Sequence, residues 1–205
     1  MGERIIVPAQ HWSDLIDRDV NDLCGRSLAV ENPPNGLILS ILGREILVDC
    51  EKACLKGRKG ASWEKIANPL LELLVLVYLL KAAPDSLNNQ MISVQELKDA
   101  HFFQGPHALS LGPLLDRYGS DLKGFEKAAA SLGGKTLDLA DVACKIPALP
   151  KVPLYYLLWQ GDEEFEPRIS VLFDRSVEAH LSADAIWGLV NLVSNALLKA
   201  PDSPF

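Results

Sequence analysis

The stretch PLLELLVLVYLL, from Pro69 to Leu80, is the sequence feature that most restricts the fold of this chain. Glu72 is the single charged residue in it, so a helix formed here would be apolar on nearly every side. The stretch is far shorter than the roughly 20 residues that a membrane-spanning helix needs. A helix of this kind must be covered on several sides by other elements. The stretch therefore predicts a buried central helix from about Asn68 to Ala82.

Short apolar runs that suit β-strands lie on both sides of this helix. LILSIL and EILVDC flank Gly43-Arg44 and predict an antiparallel hairpin with a type II′ turn, because glycine suits the first central position of that turn. LYYLLW and ISVLFD predict a second hairpin near the C-terminus, and LDLADVACKI predicts a weaker strand before it. Two hairpins and this further strand predict an antiparallel sheet.

Helices are predicted at both ends of the chain. HWSDLIDRDVNDLCGR predicts one amphipathic helix that begins at an N-cap, Ser13, and stops at Gly25. Ser93 and Glu96 have the spacing of a capping box, which predicts a short helix after them. The last apolar periodic stretch predicts a helix that lies across the sheet and begins at Ser182. The Lys- and Gly-rich segment 51–61 is interpreted as a linker.

Together these elements predict an α+β fold in which an antiparallel sheet of hairpins packs against a buried central helix and a C-terminal helix. With 205 residues, 48% of them hydrophobic, the chain is long enough to bury a core without disulfides or a structural metal. We expect a single domain over residues 1–205. Its N-terminal helix and hairpin occupy about 1–60, and its main body occupies about 61–200.

Charge and composition exclude several classes of partner. The formal net charge is −7, which argues against nucleic acid as a partner because the average field repels a polyanion. The basic stretch EKACLKGRKG lacks interleaved aromatic residues and the spacing of a phosphate-binding loop. The N-terminus has no signal-peptide pattern, so we expect a cytoplasmic protein without a membrane partner.

The four cysteines are predicted to be free thiols, because their spacing and the reducing cytoplasm argue against disulfides. Cys50 and Cys54 form a C-x3-C pair that could supply two metal ligands from one face of a helix. No second ligand pair lies nearby in the sequence, and a free cysteine often behaves as a small buried apolar residue. The role of Cys50 and Cys54 therefore stays open.

The candidate site lies in the hairpin loop within LLWQGDEEFEPRISVLFD. At about eight residues, the loop between Gln160 and Arg168 is longer than the two to five that are usual for a hairpin, and long loops are often functional. The binding candidates are the acidic residues of this segment and the neighbouring tryptophan: Asp162, Glu163, Glu164, Asp174 and Trp159.

Two interpretations of this acidic loop stand side by side. Adjacent carboxylates repel one another, and a hard cation such as Mg²⁺ or Ca²⁺ could balance them if Asp162, Glu164 and Asp174 converge. Alternatively, the loop is a solvated tip, Trp159 belongs to the core and Asp174 caps the following helix. In that second interpretation Arg168 can pair with one of the acids.

The other ionisable residues indicate no known catalytic motif. His101, His107 and His180 lack the spacing of a zinc site, no serine lies in G-x-S-x-G, and no G-x-G-x-x-G follows a strand. HFFQGPH places two histidines beside two phenylalanines, which favours local aromatic packing over ligation. The sequence identifies no cofactor and does not decide whether the protein is an enzyme.

The segments LLVLVYLL, SVQEL, FEKAAASLGG, ALPKVPLYYLLWQGDEEFEPRISVLFDRS and HLSADAIWGLVNLV resemble the domain-of-unknown-function 3786 family of bacteria and archaea. The resemblance covers about residues 30–199 and is most specific from Pro150 to Asp174. Family members occur in anaerobes, and some are described as iron–sulfur proteins through a separate cysteine-rich segment. The four cysteines of this chain lack the C-x2-C-x2-C spacing of ferredoxins, so the resemblance implies the fold and no cofactor.

Two functions follow as hypotheses. The resemblance implies a non-catalytic binding or accessory module linked to anaerobic corrinoid or iron–sulfur metabolism, with a protein or a small molecule as its ligand. The acidic loop by itself suggests the alternative, a small divalent-metal-dependent enzyme that uses Asp162 and Glu164 with Asp174 to activate water or orient an anionic substrate.

Overall fold

The computed structural model describes residues 5–34, 36–162 and 164–200. Within these residues the chain forms two antiparallel sheets and seven α-helices, an α+β fold as predicted. The strands are β1 (Val30–Asn32), β2 (Gly36–Ile41), β3 (Arg44–Asp49), β4 (Cys54–Lys59), β5 (Ser62–Lys65), β6 (Met91–Ile92), β7 (Lys135–Leu137), β8 (Val142–Leu149), β9 (Val152–Trp159) and β10 (Arg168–Asp174). The helices are α1 (Ala9–Ile16), α2 (Val20–Ser27), α3 (Pro69–Lys81), α4 (Gly112–Tyr118), α5 (Leu122–Ser131), α6 (Val177–His180) and α7 (Ala183–Lys199). Three short 3₁₀ turns span Val94–Glu96, Ala100–Phe103 and Gly105–His107.

Helix α3 is the buried central helix that its apolar sequence predicts. The side chain of Asn68 accepts a hydrogen bond from the Leu71 amide, and Pro69 occupies the first turn. The one charged residue that the sequence places among these apolar side chains is satisfied from α1, because Trp12 Nε1 donates to Glu72 Oε1 at 2.9 Å. The helix packs against α1, α2, α6 and α7, and its apolar side chains join a cluster that includes both sheets.

The first sheet is a meander in which β1 to β5 are neighbours in chain order. The predicted β2–β3 hairpin is present, but its two central residues are Leu42 and Gly43, with Ile41 opposite Arg44. Both central residues have positive φ, 49° and 71°, so the turn is type I′ and not the type II′ turn expected from the sequence. The fold accepts the strained Leu42 because its side chain is fully buried in the core.

The segment 51–61 is not the linker that its composition suggested. Most of it belongs to β4 and to the turn into β5. Cys54 and Leu55 are buried, and the following charges pair across the sheet: Lys56 binds Asp49, and Arg58 binds Glu45. Cross-strand ion pairs let this Lys-rich segment form a strand.

The predicted N-terminal helix is interrupted. Helix α1 ends at Ile16, and Asp19 begins α2 by accepting a hydrogen bond from the Asp22 amide at 2.9 Å. The first N-cap is Pro8 and not Ser13, and α2 continues past Gly25 to Ser27. Aspartate is a strong N-cap, so Asp19 starts a new helix where apolar periodicity alone predicts a continuous one.

The second sheet has the strand order β6-β10-β9-β8-β7, and its two faces differ. One face, with Leu154, Tyr156 and Leu158, belongs to the main core. On it lies α7, the predicted C-terminal helix, where the Tyr156 hydroxyl and the Ser194 hydroxyl are 3.0 Å apart. Ser182 is the N-cap position of α7, although its side chain makes no capping hydrogen bond. The opposite face carries a smaller apolar cluster that contains Tyr155 and Leu157.

The two sheets meet through backbone. The Leu42 amide of the β2–β3 turn donates to the Pro147 carbonyl of β8 at 3.0 Å, and a Cβ placed on Gly43 would lie 3.0 Å from the Gly133 Cα.

The predicted capping box at Ser93 is confirmed, because Glu96 Oε2 accepts a hydrogen bond from the Ser93 amide. It begins a 3₁₀ turn of three residues and not an α-helix. Among the helices that the structure describes, none has the length and apolar character needed to cross a membrane.

Candidate functional site

The loop between β9 and β10 is held in shape by Asp162. The Asp162 amide donates to the Phe165 carbonyl at 2.9 Å, which closes a turn. Its carboxylate Oδ1 accepts hydrogen bonds from the amides of Glu164 and Phe165, each at 2.8 Å. These two hydrogen bonds lower the pKa of Asp162, so the carboxylate is ionised at neutral pH. Asp162 therefore organises the loop from within.

Gly161 lets the two legs of this loop approach each other. A Cβ at this position would lie 2.7 Å from Pro167 Cδ and 2.9 Å from the Pro167 backbone nitrogen. Contacts this short do not occur for real Cβ atoms without a shift of the surrounding chain. The turn that presents Phe165 consequently depends on glycine at position 161.

The outer end of the loop exposes an apolar side chain among acids. Phe165 is 69% exposed, and Leu139 on the neighbouring β7–β8 connection is 48% exposed. The two segments are joined because the Gln160 amide donates to Asp141 Oδ2 at 2.9 Å. We call this surface the acidic tip and define it by Leu139, Asp141, Asp162, Glu164, Phe165 and Glu166. Glu163, a binding candidate from the sequence, lies outside the described residues.

Trp159 lies at the base of the loop and is half-buried. It joins the small apolar cluster on the outer face of the second sheet. The guanidinium of Arg168, directly opposite on β10, lies 4.1 Å from the centre of the Trp159 ring. Among the described residues Arg168 forms no ion pair, and its guanidinium makes a cation–π contact with Trp159.

Asp174 lies at the far end of β10 and is not brought together with Asp162 and Glu164. The six residue steps along the strand from Arg168 to Asp174 span about 20 Å. The Asp174 side chain is buried, with 1% exposure, and accepts four hydrogen bonds. The donors are the amides of Asn88, Asn89 and Ser176 and the Ser176 hydroxyl. The expected convergence of three carboxylates is thus not met, because the hairpin places them at opposite ends.

Burial and hydrogen bonding act in opposite directions on Asp174. Burial alone would raise the pKa of this carboxyl, but the hydrogen bonds from Ser176, Asn88 and Asn89 outweigh it and hold the pKa below its usual value. The residue is therefore an ionised structural anchor. It does not cap a helix at Arg175 as the sequence suggested, because α6 begins only at Val177.

A family model described as Domain of unknown function (DUF3786) matches residues 19–196. The chain belongs to this family. The matched range includes the acidic tip and Asp174, and it confirms the resemblance noted from the sequence. No curated protein and no solved structure matches the chain.

Side chains of the types that bind metals are dispersed over the described residues of this DUF3786 protein. Among the described residues, no three or more His, Cys, Asp or Glu side chains are grouped so that they could hold a metal ion. Cys50 and Cys54 lie at a turn and on β4, and not on one face of a helix. Cys24, Cys50, Cys54 and Cys144 are all free thiols. Burial, followed by the nearby Glu126 charge, raises the pKa of Cys144 to about 11, and burial also raises the pKa values of Cys24 and Cys50.

The HFFQGPH segment is explained by packing, as its sequence favoured. The rings of Phe102 and His107 stack with centroids 4.4 Å apart. His107 also meets Trp187 of α7 edge-on, with centroids 5.6 Å apart. These contacts attach the 3₁₀ turns to α7.

A buried charged cluster beneath the segment 82–90 has no signal in the sequence. We call this segment, which connects α3 to β6, the strap. Lys151 Nζ donates to the carbonyls of Ala83 and Pro84, at 3.0 and 3.1 Å, and His180 Nδ1 accepts from the Ala83 amide at 3.3 Å. Burial lowers the pKa of Lys151 and also that of His180. Lys151 and His180 lie far apart in the sequence, and only the fold brings them together.

Proposed function

We propose that this DUF3786 protein is a non-catalytic binding module whose acidic tip docks onto a partner protein with a basic surface. The observation that supports this most is Phe165, an aromatic side chain that is 69% exposed on a hydrogen-bonded turn among carboxylates. Aromatic residues surrounded by a polar rim carry a large share of the binding free energy at many protein interfaces.

The turn reduces the entropy that binding would remove. The backbone at Phe165 is held on both sides, since its carbonyl accepts from the Asp162 amide and its own amide donates to the Asp162 carboxylate. A side chain presented from a preorganised backbone loses less conformational freedom on association than one on an unconstrained loop. Phe165 therefore suits the role of an anchor.

The charge around Phe165 indicates the chemistry of the partner. Glu164 and Glu166 are exposed carboxylates next to it in the loop, Asp141 is an exposed carboxylate on the β7–β8 connection hydrogen-bonded to this loop, and the whole chain carries a formal net charge of −7. Such a field attracts a basic surface and repels an acidic one, and it speeds association most at low ionic strength. We expect a partner whose contact surface has Lys or Arg around an apolar pocket.

The family resemblance supports a narrower proposal about the partner. Because members of the family are associated with anaerobes and with iron–sulfur proteins, we propose that the partner acts in anaerobic corrinoid or iron–sulfur metabolism. The module would then be an accessory to that partner. No residue of this chain is assigned to a cofactor in this proposal.

Site-specific photocrosslinking tests the proposal in the producing cell. A photoreactive phenylalanine at position 165 should capture a defined partner protein, whereas the same group at Val30, another exposed apolar position, should not. The captured protein is then purified, and its affinity for the full chain is measured by calorimetry at two salt concentrations. Equal capture at positions 165 and 30, or an affinity that salt does not change, would contradict the proposal.

Two matched double variants distinguish the effect of charge at the acidic tip on partner binding from the effect of the net charge of the chain. Glu164→Gln with Glu166→Gln removes two negative charges at the acidic tip, and Glu51→Gln with Asp116→Asn removes two exposed acids elsewhere. We expect the first pair to weaken partner binding roughly tenfold and the second to leave it nearly unchanged. Equal effects would mean that net charge, and not the acidic tip, governs binding.

The same variants address the metal-dependent alternative. Calorimetric titration of the full chain with Mg²⁺, Mn²⁺ and Ca²⁺ should show no binding that depends on Glu164. A divalent cation that binds the natural chain and is lost in Glu164→Gln would support the enzyme hypothesis and contradict a non-catalytic role.

A further inference from the structure

The strap is held mainly by side chains from other elements, in addition to backbone hydrogen bonds at its two ends, from the Ala82 amide to the Tyr78 carbonyl and from the Arg175 amide to the Gln90 carbonyl. Arg26 of α2 donates to the Ala82 carbonyl at 2.6 Å, and Lys151 of the β8–β9 turn donates to the next two carbonyls. Asp174 of β10 accepts from the amides of Asn88 and Asn89 at 2.9 and 2.7 Å. Within the strap the described residues form no helix or strand, so its position depends on these charged contacts.

Protonation of His180 can turn its attractive contact with the strap into a repulsive one. The side chain is 0% exposed, and its Nδ1 accepts the hydrogen bond of the Ala83 amide at 3.3 Å. This bond requires the neutral tautomer with the proton on Nε2, which has no hydrogen-bond partner within the described residues. A protonated imidazole carries a hydrogen on both nitrogens. Protonation would therefore direct Nδ1–H against the Ala83 N–H and turn an attraction into a repulsion.

The charges that face His180 come from three elements. Lys151 opposes a second positive charge, whereas Asp85 of the strap and Asp174 of β10 favour one. Asp174 already accepts four hydrogen bonds, so much of its charge is compensated. Burial has the largest effect, Lys151 acts in the same direction, and the pKa of His180 is lowered.

The strap also forms one wall of a cleft of about 630 Å³. Asp85 to Asn88 of the strap line this cleft together with Lys98, Arg175, Ser176, Glu178 and Ala179. Displacement of the strap would widen the cleft and uncover Lys151 and Asp174, which are otherwise buried.

We propose that the strap is an acid-sensitive latch: neutral His180 holds it closed through the Ala83 amide, and protonation of His180 releases it and opens the cleft. The direction follows from linkage. A histidine whose pKa is lower in the closed state stabilises that state fully above its unperturbed pKa of about 6.5, and this stabilisation is lost as the pH falls below that value.

Hydrogen exchange of the full chain from about pH 7.5 to about pH 5, corrected for the intrinsic pH dependence of exchange, tests the latch. As the pH falls below the unperturbed histidine pKa of about 6.5, opening of the strap should increase by up to roughly tenfold per pH unit, until the lowered closed-state pKa of His180 is reached. Amides of α3, in the core beside it, should stay protected. If α3 loses protection together with the strap, or the strap stays protected throughout, the proposal is overturned.

Two variants tie the effect to His180. His180→Asn keeps an acceptor near the Nδ1 position and does not titrate, so its strap should stay protected across the same pH range. Asp85→Asn removes an exposed charge that stabilises protonated His180 in the closed state, so the closed state should tolerate protonation less and release should move to higher pH. The exposed Asp99→Asn change is the control and should leave the pH of release unaltered. Acid release that persists in His180→Asn, or a pH of release that Asp85→Asn leaves unaltered, would overturn the proposal.

Discussion

The two ends of β10 carry aspartates that look alike in sequence and do opposite things in the fold. Asp162, in the loop that leads into β10, is exposed and accepts two hydrogen bonds, both on Oδ1 and both from its own loop. Asp174, at the last position of the strand, is buried and uses both oxygens to hold a distant segment. The comparison shows that burial and the number of oxygens engaged, and not local acidity, separate a structural carboxylate from one available to a ligand.

The largest effect should come from Asp174→Asn. The new amide group replaces an oxygen that the amide of Asn88 or Asn89 needs, so one buried N–H would face another N–H. Because a buried carboxylate with four donors is involved, we expect the free energy of unfolding to fall by about 3 kcal/mol. Urea unfolding followed by circular dichroism measures this change. A midpoint equal to that of the natural chain would show that Asp174 is not an anchor.

A smaller loss should follow from Lys151→Met at the same buried end. Methionine fills much of the volume but leaves the carbonyls of Ala83 and Pro84 without their donor. Removal of a desolvated charge offsets part of this loss, and we expect a fall of about 2 kcal/mol in the free energy of unfolding. The same urea titration applies. Stabilisation by Lys151→Met would mean that desolvation of the ammonium outweighs its two hydrogen bonds.

At the exposed end, Gly161→Ala should have a local effect of about 1 kcal/mol on unfolding, because the added Cβ forces the loop legs apart. The yield of partner crosslinked at position 165 should fall by a larger factor than the free energy of unfolding does, since the turn that presents Phe165 is distorted.

Gly25→Ala is the matched control. A Cβ at Gly25 meets nothing within 4 Å in α2, so alanine there should stabilise the helix slightly. Equal effects of the two changes on partner capture would contradict a role for Gly161.

Elements with a strong local signal were predictable from the sequence. The apolar run of α3 is long enough for a helix, and the two pairs of short β-branched and aromatic runs are separated by turn residues, which is typical of hairpins. The break between α1 and α2 was missed because Asp19, which caps α2, lies in a stretch whose apolar spacing continues without interruption. The strand β4 was missed because the charges of Lys56 and Arg58 are compensated on β3, a partner that composition does not reveal.

The residues of the candidate site likewise fall into those that local sequence predicts and those that only distant contacts explain. The loop around Asp162 was visible because acids and a long hairpin connection are local features. The role of Asp174 was not predictable, since its hydrogen-bond donors Asn88 and Asn89 lie more than eighty positions away in the chain. Lys151 and His180 give no sequence signal for the same reason. Contacts between distant segments decide which ionisable residues are buried, and periodicity and motif spacing contain little information about them.

The smallest effect on stability should come from Asp162→Asn, and it tests the comparison most sharply. Asparagine keeps the Oδ1 acceptor that both loop amides use, and Oδ2 of this exposed residue accepts no hydrogen bond from the described residues. Unfolding by urea should therefore be unchanged, in contrast to the same substitution at position 174. Partner binding should weaken only to the extent that one negative charge is lost from the acidic tip, and this weakening should vanish at high salt. A large loss of stability in Asp162→Asn would mean that the exposed loop is as much a part of the folded core as the buried end of β10.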